Sequence, residues 1–377
     1  MECFGCQACA DVCPKSAIKM TPDEQGFLYP IVDVDLCVNC GLCEEVCQID
    51  KQFCYSDSIC MGVKNTDGIR EQSSSGGVYT AISDVILNEN GICIGAAFDS
   101  NMRVVHTIAS DCEGRNAFRG SKYVQSNTNG IYKKIRKQLC QNIKKVLFTG
   151  TPCQCAALKQ YLSSVCQNDD NLIVVDVVCH GTPSPLLWDE YVRDLEHRYK
   201  SKLVKYTFRN KEKGWRNYHI KAEFENGIID RDSNSARVFV KLFSDDVILR
   251  PSCYYCRYCS LQRVSDLTIG DFWGIEDIDK AFSDNKGVSM LLINSDKGRL
   301  IWNSICENLE YKSYPLSLLK QPNLYYPTNY GKLYDAFWKI YTEQGYKTTA
   351  IKFGWGGSLF AKFYEIKQRV KNKLERV

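Results

Sequence analysis

The sequence predicts an α+β chain in which a small cysteine-rich module is fused to a mixed-sheet α/β domain. Three observations predict it. Eight cysteines fall at fixed short spacings within the first 50 residues, residues 49–58 are polar and aperiodic, and from residue 59 onward short apolar runs alternate with amphipathic segments. Some of those runs are strand–strand neighbours, which argues for a mixed sheet over a regular doubly wound one. At 377 residues, with 44% hydrophobic and 24% charged residues, the chain is long enough for two or three packed units. The expected division is residues 1–50, 59–142 and 143–310, with a helical, basic extension at 311–377.

The first run is Cys3-x2-Cys6-x2-Cys9-x3-Cys13-Pro14 and the second is Cys37-x2-Cys40-x2-Cys43-x3-Cys47. Spacings of three carry successive thiolates around one tight turn, so three sulfurs of a run can reach three corners of an iron–sulfur cube. In two-cluster ferredoxins the fourth corner is filled by the last cysteine of the other run. That rule pairs Cys3, Cys6 and Cys9 with Cys47, and Cys37, Cys40 and Cys43 with Cys13. A zinc site would leave four of the eight idle. Two departures from the ferredoxin pattern stand out. Gln48 occupies the place where a proline often follows the last ligand, which is expected to affect only the local turn. The chain also begins two residues before its first ligand, so either its start is truncated or the first cluster lies at an exposed edge, where an electron partner would dock.

The remaining composition narrows the class. There are 21 cysteines, no apolar leader behind Met1-Glu2, and no apolar run long enough to span a membrane. Bunched cysteines in such a chain point to metal ligation in a reducing cytoplasm. A net charge of +4 gives no support to nucleic-acid binding. Residues 362–376 are rich in lysine and arginine, with Phe363, Ile366, Val370 and Leu374 at helical spacing. They read as a terminal helix packed on the domain, with contact to a membrane surface or a partner as the alternative.

Beyond residue 59, strands are expected at 91–98, 104–109, 145–149, 172–179, 203–208, 218–224 and 267–269. Helices are expected at 78–87, 131–141, 153–162, 186–198 and 300–309. No G-x-G-x-x-G follows a strand. Instead, Ser73-Ser74-Ser75-Gly76-Gly77 directly precedes the helix at 78–87, where small residues, hydroxyls and the helix dipole favour an anion, although serines also cap helices with no ligand present. Gly120-Ser121-Lys122-Tyr123, Gly150-Thr151-Pro152-Cys153-Gln154 and Gly270-Asp271-Phe272-Trp273-Gly274 repeat the mixture of small and polar residues. Each alone is compatible with a plain turn; together they suggest loops gathered at one ligand.

Further cysteines form a pattern of their own. Cys153 opens a helix, where the dipole lowers a thiol pKa. Cys179 precedes His180-Gly181, and Cys253 and Cys256 form a C-x2-C pair. Four thiolates from three segments suffice for a third cubane. The competing reading makes Cys153 or Cys179 a redox or core thiol, and Cys155 or Cys259 could replace a neighbour. His180 is either a proton donor to a substrate or a buried, hydrogen-bonded histidine.

These loops, with Cys-His-Gly at 179–181 and the Cys253/Cys256 pair, resemble the family of coenzyme F-420 hydrogenase/dehydrogenase beta subunits. The resemblance runs from about residue 59 to about residue 310, behind a ferredoxin-like module. It implies a flavoprotein domain carrying FAD and a [4Fe–4S] cluster. It assigns the Ser75-Gly76-Gly77 loop and Lys122 to the flavin, and Ser73, Ser74, Ser121, Tyr123, Gly150, Thr151 and Asp271 on the same loops are the further candidates to bind it. It assigns Cys153, Cys179, Cys253 and Cys256 to the third cluster. The expected protein is an oxidoreductase relaying electrons from a ferredoxin-like carrier through clusters to FAD and an organic acceptor. Its rivals are an electron-transfer subunit of a larger oxidoreductase and a thioredoxin-type disulfide reductase.

Overall fold

The computed structural model describes residues 3–49, 51, 58–141, 144–216 and 219–355. The basic segment at 362–376 and most of the stretch at 49–58 lie outside these residues. The N-terminal module comprises a short helix, Ala8–Val12, an antiparallel hairpin of β1 (Ile18–Pro22) and β2 (Leu28–Val32), and a second short helix, Leu42–Glu45.

The main body is built on β3 (Ile59–Lys64), β4 (Ile92–Phe98), β5 (Val104–Ala109), β6 (Val146–Gly150) and β7 (Leu172–Val177). It continues with β8 (Leu203–Asn210), β9 (His219–Phe224), β10 (Ile229–Arg231), β11 (Leu267–Asp271), β12 (Ser289–Ile293) and β13 (Glu310–Tyr314). One eight-stranded sheet has the order β13-β3-β12-β11-β7-β6-β4-β5, and β10-β9-β8 form a separate antiparallel sheet. The four strands β11, β7, β6 and β4 run parallel, whereas both flanks are antiparallel. This mixed sheet is the α+β arrangement that the irregular strand–helix alternation predicts.

Local sequence explains the central strands. Val-Leu-Phe in β6 and Leu-Ile-Val-Val in β7 are apolar without alternation, as strands covered on both faces must be, and they are buried. Thr151 then ends β6 and opens the helix Pro152–Ser164 with a reciprocal capping box to Gln154 and proline in the first turn. Trp188, Tyr191, Phe208 and Phe239 knit the small sheet to the helices Pro185–Tyr199 and Asn234–Ser244 in an aromatic core that also takes Phe337 from the helix Tyr334–Thr349.

Several boundaries differ from expectation. Residues 59–142 and 143–310 share one sheet, since β3 pairs with β12 and β4 with β6. Strand β13 crosses the boundary expected at 310, and the helix expected at 300–309 runs Asp296–Ile305 instead. Ser295 caps that helix by accepting from Gly298 N–H, so its first turn is polar and precedes the apolar periodicity.

Candidate functional site

The carboxyl ends of the parallel strands converge on one cavity of about 600 Å³. Open α/β sheets place ligands at this edge because loops leaving neighbouring strands diverge there. Ser73, Ser74, Ser75, Gly77, Ser121, Lys122, Tyr123, Gly150, Thr151, His180 and Asp271 all line it. Gly76 does not. A Cβ at Gly76 would lie 2.2 Å from Val63 O and 2.4 Å from Ser289 N, so the absent side chain serves close packing against β3 and β12.

Hydrogen bonds reassign several of these side chains. Ser73 Oγ donates to Ile69 O and Ser75 Oγ to Val288 O, so both hydroxyls brace the loop. Ser74 Oγ accepts from Ser121 N–H and Ser121 Oγ–H, which leaves its own hydrogen for the cavity. Lys122 Nζ donates to the carbonyls of Ala117, Arg119 and Gly120 at 2.7, 3.0 and 3.2 Å. Burial pushes its pKa down to about 7, so it contributes a conditional positive charge rather than a direct contact. Asp271 spends one carboxylate oxygen on Arg209 and the other on Trp215 Nε1, both at 2.7 Å.

Other lining residues escape motif reading. Arg119 Nε, Tyr79 Oη and Thr149 Oγ1 belong to residues that line the cavity, and are buried with no hydrogen-bond partner. Such orphaned groups fit a polar ligand at the serine loop. Tyr123 stacks on Phe243 at 4.8 Å, and Trp273 stacks on Trp215 at 4.8 Å with Arg209 over its face. Phosphate-friendly backbone, orphaned donors and aromatic walls together fit a flavin nucleotide.

At the base of the cavity, His106 Nε2–H donates to Thr149 O, and Nδ1 accepts from Ser126 Oγ. Gln154 Nε2 donates to Ser126 Oγ, and Gln154 Oε1 accepts from Thr151. Burial lowers the His106 pKa to about 4, so this ring stays neutral and structural. His180 is different: its Nε2–H donates to Asp246 Oδ1 at 2.6 Å, and it borders both the cavity and a second, smaller gap.

That gap is lined by Cys153, Cys179, Cys253, Cys256 and Cys259, closed by Phe4, Tyr258 and Arg263. Thr182 N–H and the Thr151 hydroxyl reach the sulfurs of Cys253 and Cys153 at 3.4 and 3.1 Å. Burial raises the thiol pKa of Cys153 and of Cys179, with neighbouring cysteines adding to it. The helix dipole expected to lower Cys153 is outweighed by desolvation. Iron must therefore displace protons to bind here, which makes loading pH-dependent. Among the described residues no three His, Cys, Asp or Glu side chains close on a single-ion position. A cubane presents a separate iron to each thiolate, so converging but separated sulfurs suit it. Cys155 lies outside the gap, fully buried, with its thiol directed at Val175 O.

The loop carrying Cys256 and Cys259 is fixed by Arg263, which donates to Tyr258 O, Ser260 O and Thr268 Oγ1 and pairs with Asp176 at 2.7 Å. Both charges are buried, and Asp176 stands three residues before Cys179, so one ion pair registers two of the contributing segments.

The N-terminal module brings its first run to this gap. Cys6 and Cys9 are pushed up to about 11 and about 12 by burial first, with the charges of Cys3 and Cys47 contributing. Cys6 in turn acts on Cys153. The edge expected to be exposed is instead the covered one: Arg250 donates to Cys3 O and Leu28 O and lies over Tyr29, Gln125 donates to Phe4 O, and Thr128 to Cys6 O. Asp11 caps the helix Ile131–Cys140 from outside by accepting from Gly130 and Tyr132 N–H.

Gln48 does more than shape a turn. It is 1% exposed, its Nε2 donates to Cys153 O at 2.6 Å, and its Oε1 accepts from Tyr258 Oη. A proline there could form neither bond.

Comparison with known proteins finds similarity in two regions of the chain. Residues 143–317 match the family described as the C terminus of the coenzyme F420 hydrogenase/dehydrogenase beta subunit, and residues 2–51 match the 4Fe-4S dicluster domain. The chain is 21% identical over 190 residues to one subunit of the F(420)H(2) dehydrogenase of Methanosarcina mazei, covering 47% of this chain and 53% of that protein. It is 46% identical over 46 residues to an uncharacterised ferredoxin of Methanocaldococcus jannaschii, covering 12% of this chain and 58% of that one. The chain thus spans little more than half the length of these curated relatives. A chain of the xenon-derivatised F420-reducing [NiFe] hydrogenase complex from Methanosarcina barkeri superimposes with TM-score 0.47 and 20% identity, over 80% of this chain and 91% of that one. No helix among the described residues is long and apolar enough to cross a membrane.

Proposed function

With residues 143–317 belonging to the family of coenzyme F-420 hydrogenase/dehydrogenase beta subunits and residues 2–51 to the 4Fe-4S dicluster domains, we propose that this chain is an iron–sulfur flavoprotein oxidoreductase. The observation that carries the reading is continuity: the first cysteine run, the gap of Cys153, Cys179, Cys253 and Cys256, and the cavity adjoin in that order. When bound, the clusters carry single electrons and FAD pairs them for a two-electron acceptor.

In this reading Cys3, Cys6, Cys9 and Cys47 hold one cluster, and Cys37, Cys40, Cys43 and Cys13 a second. Cys153, Cys179, Cys253 and Cys256 hold a third, with Cys259 the nearest substitute. Ser74 and Arg119 receive the anionic part of the flavin, with Ser121 orienting the Ser74 hydroxyl, while Tyr79 and Thr149 offer hydroxyls and Tyr123 and Trp273 supply apolar walls. Lys122 and Asp271 act at one remove, through charge and through the placement of Arg209. His180, oriented by Asp246, stands at the boundary between third cluster and cavity, where an acceptor reduced by the flavin needs a proton donor.

A second reading, an electron-transfer subunit of a larger oxidoreductase, is favoured by the exposed apolar residues beside the second run. A disulfide reductase is disfavoured, because Cys155 cannot offer an accessible pair with Cys153. Anaerobic purification with iron, sulfide and flavin assays tests the proposal. It expects about twelve irons and one FAD per chain. About eight irons without flavin would overturn it.

A further inference from the structure

The second cysteine run faces solvent across a surface of unusual composition. Cys40 is exposed, and Val34 is 79% exposed, with Ile31, Leu36 and Val38 also open. Asp33 and Asp35 alternate with these residues along the chain, and Glu44 and Glu45 follow Cys43; all four are exposed. No ion pair among the described residues engages any of these four carboxylates. In sequence, residues 20–50 contain seven carboxylates and no lysine or arginine, within a chain of net charge +4. A backbone turn holds the patch in shape, with Asp33 Oδ1 accepting from the N–H groups of Asp35 and Leu36 and Cys37 N–H donating to Asp33 O.

An apolar centre bordered mainly by carboxylates, with Lys19 opposite Ile31 at its hairpin edge, over a redox centre, suits capture of a partner of opposite charge and exclusion of water at the contact. We propose that this face docks a one-electron redox protein whose own exposed redox edge is ringed by lysine and arginine. The inference rests on the iron–sulfur reading and adds the place, polarity and partner chemistry of electron exchange. Anionic membranes and nucleic acids are repelled by the same rim. A second copy of this chain would bring like charge to like charge across the face. One electron crosses per encounter, the partner's centre losing what the outer cluster gains or the reverse. No bond forms, and no proton is required.

The test uses the full-length, cluster-loaded protein, reduced stoichiometrically with dithionite, and ferricytochrome c as the probe, a one-electron acceptor with a basic rim. Stopped-flow rates should fall roughly tenfold or more between about 20 and 300 mM salt, as expected of steered association. D35K/E44K/E45K should lower the low-salt rate by about as much and flatten its salt dependence, at unchanged iron content. V34E should slow the reaction less. An unchanged rate in the charge-reversed protein, or a salt-independent wild-type rate, overturns the docking face. Sedimentation showing a dimer that D35K/E44K/E45K dissolves also overturns it, assigning the face to a second copy. A protein that binds no clusters under reconstitution instead fails the iron–sulfur reading itself, so the two failures are distinct.

Discussion

Cys3, Cys6 and Cys9 share their spacing with Cys37, Cys40 and Cys43, yet the first run is walled in by Arg250, Thr128, Gln48 and Tyr258 while the second borders open apolar and acidic side chains. Equal spacing gives equal ligand chemistry; the surroundings set direction. A run seated against Cys153 suits internal transfer, and one with Cys40 at the surface suits exchange with a partner. The difference teaches that this ferredoxin-like module is mounted with its first run inward.

The comparison breaks most visibly at Arg250. Its guanidinium is 1% exposed and satisfies the carbonyls of Cys3 and Leu28, so Arg250→Met leaves both unpaired behind a seated module. Hydrogen bonds to charged groups lose about 1.5–3 kcal/mol each, so denaturant unfolding should show a loss of about 3 kcal/mol or more. Gln48→Pro comes next, with an expected loss of about 1–3 kcal/mol and an altered first-cluster potential by electron paramagnetic resonance (EPR) titration. On the outward run the matching change is smaller: Asp33→Ala removes two exposed N–H partners and should cost about 1 kcal/mol or less by thermal unfolding. Val34→Ser should lie within about 0.5 kcal/mol of wild type.

The inward end of the path also carries a pH signature. Lys122 is held at about 7 by burial, so it is largely charged at lower pH and loses that charge as pH rises through 7. Retention of an anionic flavin should therefore weaken from about pH 6 to pH 8, read by release of free-flavin fluorescence, and Lys122→Met should flatten the dependence. Lys211, also lowered to about 7 by burial, sits behind the serine loop on Ser75 O, so the double variant Lys122→Met/Lys211→Met separates local from combined effects.

Much of this was legible in the sequence where chemistry is local. Cysteine spacing gave the two runs, and apolar runs gave β4 to β9 within a few residues. The small-residue loops pointed to one cavity, and two of them do so because they end β6 and β11, on either side of β7. What stayed hidden depends on distance along the chain. Strands β3, β12 and β13 are short apolar or mixed runs whose identity comes from pairing with one another. Asp246 meets His180 across 66 residues and Arg250 meets Cys3 across 247, and no motif records such partners. Ser73, Ser75, Lys122 and Asp271 have the right chemistry for ligand contact, but backbone carbonyls claim the first three and the Arg209 and Trp215 side chains claim Asp271. Module orientation was equally hidden, since both runs look alike until Gln48 is seen against Cys153 and Tyr258.

The inward mounting of the first run is the central claim, and iron-edge anomalous diffraction from crystals of the cluster-loaded protein tests it most directly. Three iron positions are expected in file, with the Cys3, Cys6, Cys9 and Cys47 centre between the outer centre and the one at Cys153, Cys179, Cys253 and Cys256. Anomalous density that places the Cys37, Cys40 and Cys43 centre nearest Cys153, or that leaves the Cys153 gap without iron, would contradict it.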